Sequence, residues 1–324
     1  MAAEHWKAPA GLQPRPEDYA FDLERALSSV VGLTAHVSPD AFTAETLGTD
    51  RAGHGALIGE EGLVLTIGYL IAEANAIWVT LPDGRIEAGH VLAYDHESGF
   101  GLVQILAHVD LPALKLGESS EAALGERVIV AGAGGRRRSV AARVVARQDF
   151  TGYWEYMVED AIFTAPGHPN WGGAALIGGS GKILGIGSLQ LEQEDEKASR
   201  GHVNMIVPID LLKPIYQDLI TIGRRRTPPR PWLGVYAADV NGQVVIVGLS
   251  SRGPANDAGL RVGDIVLQLA GSPAGETGRF FRALWSLGPA GVEARLVVLR
   301  EGRTLEVRVK TADRAGFLVA PKLH

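Results

Sequence analysis

The chain is predicted to be mainly β: a long all-β region, a sandwich or a pair of barrels, followed by a smaller α+β unit. Three observations predict this. From Val30 to about Ile209 the apolar runs are short and separated by Gly, Pro and Asp, and such spacing gives about twelve strands and few helices. Glycine is abundant, 41 of 324 residues, which suits a chain with many tight turns. Beyond Pro231 the pattern changes, and strand-like runs alternate with two helical pieces.

Taken in order, residues 1–29 read as an N-terminal arm and short helix. The arm, 1–20, is rich in Pro and charge; 21–29 is amphipathic, with Phe21, Leu23, Ala26 and Leu27 as its apolar members. The β region spans 30–222. Its strands are expected at 30–37, 55–58, 63–66, 76–81, 89–94, 101–105, 127–131 and 139–147, then at 156–163, 174–177, 183–191 and 203–206. Pro82-Asp83-Gly84 and Gly178-Gly179-Ser180-Gly181 read as hairpin turns, where glycine supplies positive φ. Asp210 is expected to cap a helix running to about Ile222, with Leu211, Leu212, Ile215, Leu219 and Ile220 as its stripe and Pro214 tolerated in the first turn. Residues 223–231, charged and proline-rich, form a stiff linker. The second unit, 232–312, holds strands at 235–240, 243–249, 265–269, 294–300 and 304–310 and helices at 254–258 and 277–287. Residues 313–324 are a tail.

Composition narrows the function. Hydrophobic residues are 46% and charged residues 21%, a globular balance. A net charge of -6 argues against general nucleic-acid affinity, and the runs Arg136 to Arg138 and Arg224 to Arg226 read as solvated charge. With no cysteine there is neither a disulfide nor a thiolate metal site. No pair of histidines has metal-ligand spacing, and nothing resembles a phosphate loop or dinucleotide turn, so no metal or cofactor is expected. No apolar run approaches the ~18 residues of a membrane span. The opening residues lack the basic and apolar segments of a signal peptide. The chain as given reads as cytoplasmic, or as periplasmic if a leader was trimmed.

In the second unit, Trp232-Leu233-Gly234-Val235, Gly253-Pro254-Ala255-Asn256-Asp257-Ala258-Gly259-Leu260 and Arg261-Val262-Gly263-Asp264-Ile265-Val266-Leu267 together resemble a PDZ domain. Gly234 leaves backbone amides free to turn toward a peptide carboxylate, and the strand from Val235 to Val240 offers an edge for β-augmentation. Phe280, Phe281, Leu284 and Trp285 lie on the helix forming the other wall, available to line the groove or to fill the core. The resemblance implies binding of hydrophobic C-termini through Trp232, Leu233, Gly234, Val235, Phe280 and Leu284.

In the first unit, Gly53-His54-Gly55-Ala56-Leu57-Ile58, Gly62-Leu63-Val64-Leu65-Thr66, Asp160-Ala161-Ile162, Pro166-Gly167 and Gly172-Gly173 resemble trypsin-like serine proteases of the HtrA (Deg) type. The order of protease unit, linker and PDZ unit is that family's as well, and the resemblance covers about residues 28–312. It implies a double six-stranded barrel, a role in protein quality control, unfolded-protein substrates, and oligomers, commonly trimers formed through the N-terminal region. It also locates the Ser-His-Asp triad, and all three places hold other residues: Tyr69 for the base, Gly99 for the aspartate and Trp171 for the nucleophile. A phenol titrates near 10 and is a poor base at neutral pH. Glycine has no side chain, and an indole cannot form an acyl-enzyme. The family's oxyanion hole uses the N–H two residues before the nucleophile. Here that residue is Pro169, which has none.

The sequence is therefore read as a pseudoprotease that binds peptides or partner proteins. Trp171 either plugs the vacant cleft as core or stands exposed as an anchor. One alternative is an active serine endopeptidase with a relocated site. His54, His96 and His168, with Asp95, Glu97, Ser98 and Ser180, are its nearest candidates, although lone loop histidines are ordinarily solvated. Another is a structural subunit that joins active homologues through helix 21–29 and the arm around Trp6 and Tyr19. The acidic run Glu192 to Glu196 reads as a solvated hairpin tip.

Overall fold

The computed structural model describes residues 6–59, 61–194 and 200–319. They form two compact units. Of the described residues, one unit gathers those within 6–148 and 159–225; the other gathers Asp149–Val158 and Arg226–Val319.

In the first unit the open choice between sandwich and barrels is settled as barrels. Strands β1 (Val30–Val37), β2 (Asp50–Leu57), β3 (Leu63–Ile67), β4 (Ala74–Thr80), β5 (Ile86–Tyr94) and β6 (Phe100–Ile105) close in the order β1-β2-β3-β6-β5-β4. Strands β7 (Arg127–Ala131), β8 (Ser139–Gly152), β9 (Tyr156–Ala165), β10 (Ala175–Ile177), β11 (Ile183–Glu194) and β12 (Arg200–Pro208) close in the order β10-β11-β12-β9-β8-β7. Closure removes the unpaired edges that an open sheet must otherwise protect. The second barrel is filled by Val128, Val130, Val140, Ile162, Leu176 and Ile206. Each of these comes from a different strand or alternates along one, so inward side chains recur with the period of two that the pleat imposes.

The helices of this unit are shorter than the sequence suggests. Helix α1 is Leu23–Leu27, and the Asp22 carboxylate accepts from the Arg25 amide to cap it. A one-turn α2, Ala44–Leu47, follows β1. The helix expected from Asp210 is interrupted: a 3-10 turn covers Ile209–Leu211, and α3 begins only at Tyr216 and ends at Ile222. Proline disfavours helical geometry in the residue before it, so Pro214 separates the two pieces. Asp210 caps nothing there. Its carboxylate accepts from the Ser119 amide, and the Lys213 ammonium pairs with it.

The second unit is one sheet of order β13-β14-β15-β17-β18, with β16 added on β15. The strands are β13 (Val235–Val240), β14 (Gln243–Leu249), β15 (Ile265–Leu269), β16 (Ser272–Pro273), β17 (Glu293–Arg300) and β18 (Arg303–Lys310). Helices α4 (Pro254–Asp257) and α5 (Thr277–Trp285) complete it. Leu233, Ile246, Phe280, Phe281, Leu284 and Leu296 are fully buried in its core. Asp264 is buried as well and takes both Arg300 nitrogens at 2.7 and 2.6 Å. Burial opposes its charge, but Arg300 and the Arg261 amide still hold its pKa below the ordinary carboxylate value.

Candidate functional site

The loop after β9 and the turn after β3 meet. Tyr69 lies in the 3-10 turn Gly68–Leu70. The buried Arg51 guanidinium holds that turn, donating to the Tyr69 and Ala72 carbonyls at 2.9 Å each. The Tyr69 hydroxyl donates to the Ser188 carbonyl at 3.0 Å and lies 2.8 Å from where a Gly172 Cβ would stand, next to Trp171. Burial pushes the phenol well above its ordinary value, so it is neutral. Trp171 is half-buried. Gly99, at φ 85°, enters through its backbone: its carbonyl accepts from Gly68 N–H at 2.7 Å. Three positions far apart in sequence are thus neighbours.

The loop around Trp171 is fixed by backbone contacts. His54 N–H donates to the Gly172 carbonyl, and Ala174 N–H to the Trp171 carbonyl. Gly173 is required here: at φ 76° a Cβ would stand 1.9 Å from the His54 carbonyl oxygen. Pro169, half-buried, brings no N–H to the loop.

The histidines nearby are structural. His168 is 1% exposed. Its Nε2 lies 2.8 Å from the Arg138 carbonyl, and its Nδ1 accepts from Asn170 N–H at 3.0 Å, which sets the neutral tautomer. The Trp6 ring packs on it at 4.7 Å. His54 Nδ1 accepts from Ala133 N–H at 3.2 Å. Burial first, then the neighbouring His168, pushes the His54 pKa down to about 3. His96 is half-buried, edge-on to Tyr94. The Ser98 hydroxyl donates to Asp95, whose carboxylate takes both Arg225 nitrogens at 2.7 Å, and Glu97 adds a longer pairing to the same guanidinium. The Ser180 hydroxyl donates to Glu121 at 2.6 Å. Both hydroxyls thus donate to a carboxylate rather than to an imidazole. Among the described residues, no three acidic or imidazole side chains converge as metal ligands. Of the acidic run, Glu192 is exposed on β11 opposite His202, and 195–199 fall outside the described residues.

The second unit holds a different kind of site. The amides of Leu233, Gly234 and Val235 converge at the start of β13, with Gly234 at φ 81°. All three donate to the carboxylate of Glu155, at 3.0, 2.6 and 2.8 Å. Such a nest of amides is an anion site. Glu155 is 8% exposed, and burial pushes its pKa up to about 7. Two residues earlier, the Tyr153 carbonyl accepts from Ala237 N–H on β13 at 2.7 Å. Of the other residues expected at a peptide groove, Phe280 and Leu284 lie in the buried core with Leu233 and Val235. Trp232 pairs with Ala312 and turns its ring to Phe317. Glu155 has no counterpart in the sequence reading: it lies 78 residues before Leu233, with no motif around it.

These features define the class of protein. The first unit is a trypsin-like double barrel, the second a PDZ domain. A trypsin-like peptidase domain model matches residues 53–186 and a PDZ domain model residues 231–311. A "probable periplasmic serine endoprotease DegP-like" of Pseudomonas fluorescens is 28% identical over 270 residues, covering 79% of this chain and 55% of that protein. A "serine protease Do-like HtrA" of Bacillus subtilis is 22% identical over 325 residues, 90% of this chain and 72% of that protein. In fold, the chain is similar to the HtrA-type protease AlgW with decapeptide (TM-score 0.55, 22% identity, 93% of this chain and 98% of that one). It is similar also to a serine endoprotease from Yersinia pestis (TM-score 0.54, 21% identity, 90% and 96%). The chain is thus similar to HtrA-type serine proteases with a PDZ domain. It spans a little over half the length of the DegP-like relatives it matches.

Proposed function

We propose that this chain is a non-catalytic HtrA-type homologue that binds hydrophobic C-termini of peptides or unfolded proteins through its PDZ unit. The observation that carries the loss of catalysis is the placement of the neutral Tyr69 phenol, already bonded to the Ser188 carbonyl, against the loop that bears Trp171. On this reading the pair stands where the nucleophile and general base of a serine protease would face each other. A neutral phenol already donating to a carbonyl takes up no proton, and an indole attacks no acyl carbon. Pro169 removes one oxyanion donor, a loss typically costing ~10²–10³ in rate where catalysis exists. The committed partners of Ser98, Ser180 and His168 give no support to a relocated triad.

Peptide binding is supported by the three loop amides, which already bind a carboxylate. Association with itself or with active homologues belongs to the same proposal and is read by sizing the protein alone and in mixtures. The direct test pairs two assays. Unfolded casein should remain uncleaved. A peptide with a hydrophobic C-terminus should bind while its amide does not. Casein turnover abolished by Ser180→Ala or His168→Ala would refute the first half, and equal binding of acid and amide the second.

A further inference from the structure

The groove beside the three amides is already occupied by the chain itself. A peptide bound by β-augmentation presents two things: a terminal carboxylate to a nest of amides, and backbone carbonyls to the neighbouring strand. Glu155 presents the first to Leu233, Gly234 and Val235. Tyr153, two residues earlier, presents the second to Ala237. The amides of residues 235 and 237 point to the same side of β13, as alternate amides of a strand do.

The rest of the segment follows the same course. Met157 buries its side chain in the core cluster with Leu233, Val235 and Leu284. The Tyr153 ring packs on Tyr236 of β13, 5.8 Å between centroids. On the other wall, Asp149 pairs with Arg282 of α5. Thr151 lies against Gly278 on the same helix, its Oγ1 2.9 Å from where a Cβ would stand. Residues 149–157 therefore touch both β13 and α5, the two elements that bound the groove.

Each amide N–H has one strong acceptor position, so Glu155 and a peptide carboxylate cannot both hold all three. The segment is also internal to the chain, and its local concentration is fixed by covalent connection rather than by supply. We propose that Asp149–Val158 is an internal pseudo-ligand of the PDZ groove, the Glu155 carboxylate standing in for a C-terminal carboxylate, so that an external peptide binds only by displacing it. This rests on the reading of the unit as a binder of hydrophobic C-termini. The apparent dissociation constant is then the intrinsic one divided by the fraction of molecules with the segment released.

The test uses the full chain and two readouts. The first is amide hydrogen exchange without ligand. Gly234 and Val235 should be protected in the wild type and should lose protection in Glu155→Ala. Unprotected amides in the wild type would overturn the pseudo-ligand outright, whatever the peptide binding. The second is titration with a short fluorescein-labelled peptide ending in leucine, as free acid and as amide. Glu155→Ala should bind the acid about tenfold or more tightly than the wild type does, with Glu155→Gln in between. Equal, carboxylate-dependent affinity in wild type and Glu155→Ala would overturn the pseudo-ligand while leaving the PDZ reading intact. No binding of the acid by a folded Glu155→Ala would overturn both. Circular dichroism of each variant shows whether it is folded. If Glu155→Ala is not, Asp149→Ala, which removes the Arg282 pairing, should still raise affinity, and an unchanged affinity there would count against the proposal.

Discussion

The loop at 166–173 and the loop at 232–235 are both filled by the chain's own side chains, and they are filled in opposite ways. In the first, the Tyr69 hydroxyl bonds the Ser188 carbonyl and stands against the backbone of Gly172, next to Trp171. An indole and a neutral phenol have none of the chemistry of a nucleophile and its general base. In the second, Glu155 brings the functional group that the loop amides are shaped to receive. As proposed, replacement removes an activity, whereas mimicry keeps the binding site in working order and regulates access to it.

The two glycines that shape these loops make the comparison quantitative. Gly173 is jammed against the His54 carbonyl, a Cβ meeting it at 1.9 Å, whereas a Cβ at Gly234 would meet the Gly253 Cα at 3.0 Å and the Trp232 ring at 3.1 Å. Gly173→Ala should destabilise the first unit by about 4 kcal/mol, read by denaturant unfolding. Gly234→Ala should cost about 1–2 kcal/mol and mainly weaken carboxylate binding. Equal costs at the two glycines would remove the contrast between a packed loop and a receptive one. Between the two in size is Asp264→Asn in the PDZ core, which takes the charged partner at 2.6–2.7 Å from Arg300 and should cost about 3 kcal/mol. Peptide selectivity for acid over amide should survive that change in the folded fraction.

Much of this was legible in the sequence. Short strands between glycines announced the β architecture, and the strings around Gly172-Gly173 and Gly263-Asp264 carried the resemblance. The proposed vacancies at 69, 99 and 171 could be named because each is one residue within a recognisable flank. What could not be read were contacts made by irregular backbone. Glu155 takes φ 56°, a conformation no propensity assigns to glutamate, and meets partners 78 to 80 residues away. The break before α3 was missed because Pro214 was weighed as a first-turn residue rather than as a constraint on the residue before it. Trp171 was left between plug and exposed anchor. It is half-buried, in the loop against which the Tyr69 hydroxyl packs.

A smaller effect sharpens the mimicry side. Buried Glu155 titrates near 7, against an ordinary 4.5: burial raises it, while the three amides and Arg314 pull the other way. A group whose docked pKa is raised favours docking below its free value and loses that contribution as pH rises through the docked value. Affinity for the leucine-ended peptide should therefore rise severalfold between about pH 6 and pH 8 in the wild type. It should stay flat in Glu155→Gln. A fall with rising pH would reverse the sign of the linkage. The smallest expected change is on the replacement side: Trp171→Ser alone should create no hydrolysis of casein, because on the proposed reading the base, the aspartate and one oxyanion donor remain missing.

The central claim is that the barrel unit holds no activated serine while the PDZ unit retains its ligand chemistry. It is tested most directly by exposing the intact protein to a fluorophosphonate probe, with and without the leucine-ended peptide, and mapping any adduct by mass spectrometry. No serine should be labelled under either condition. A stoichiometric adduct on one serine, lost on unfolding, would contradict the account.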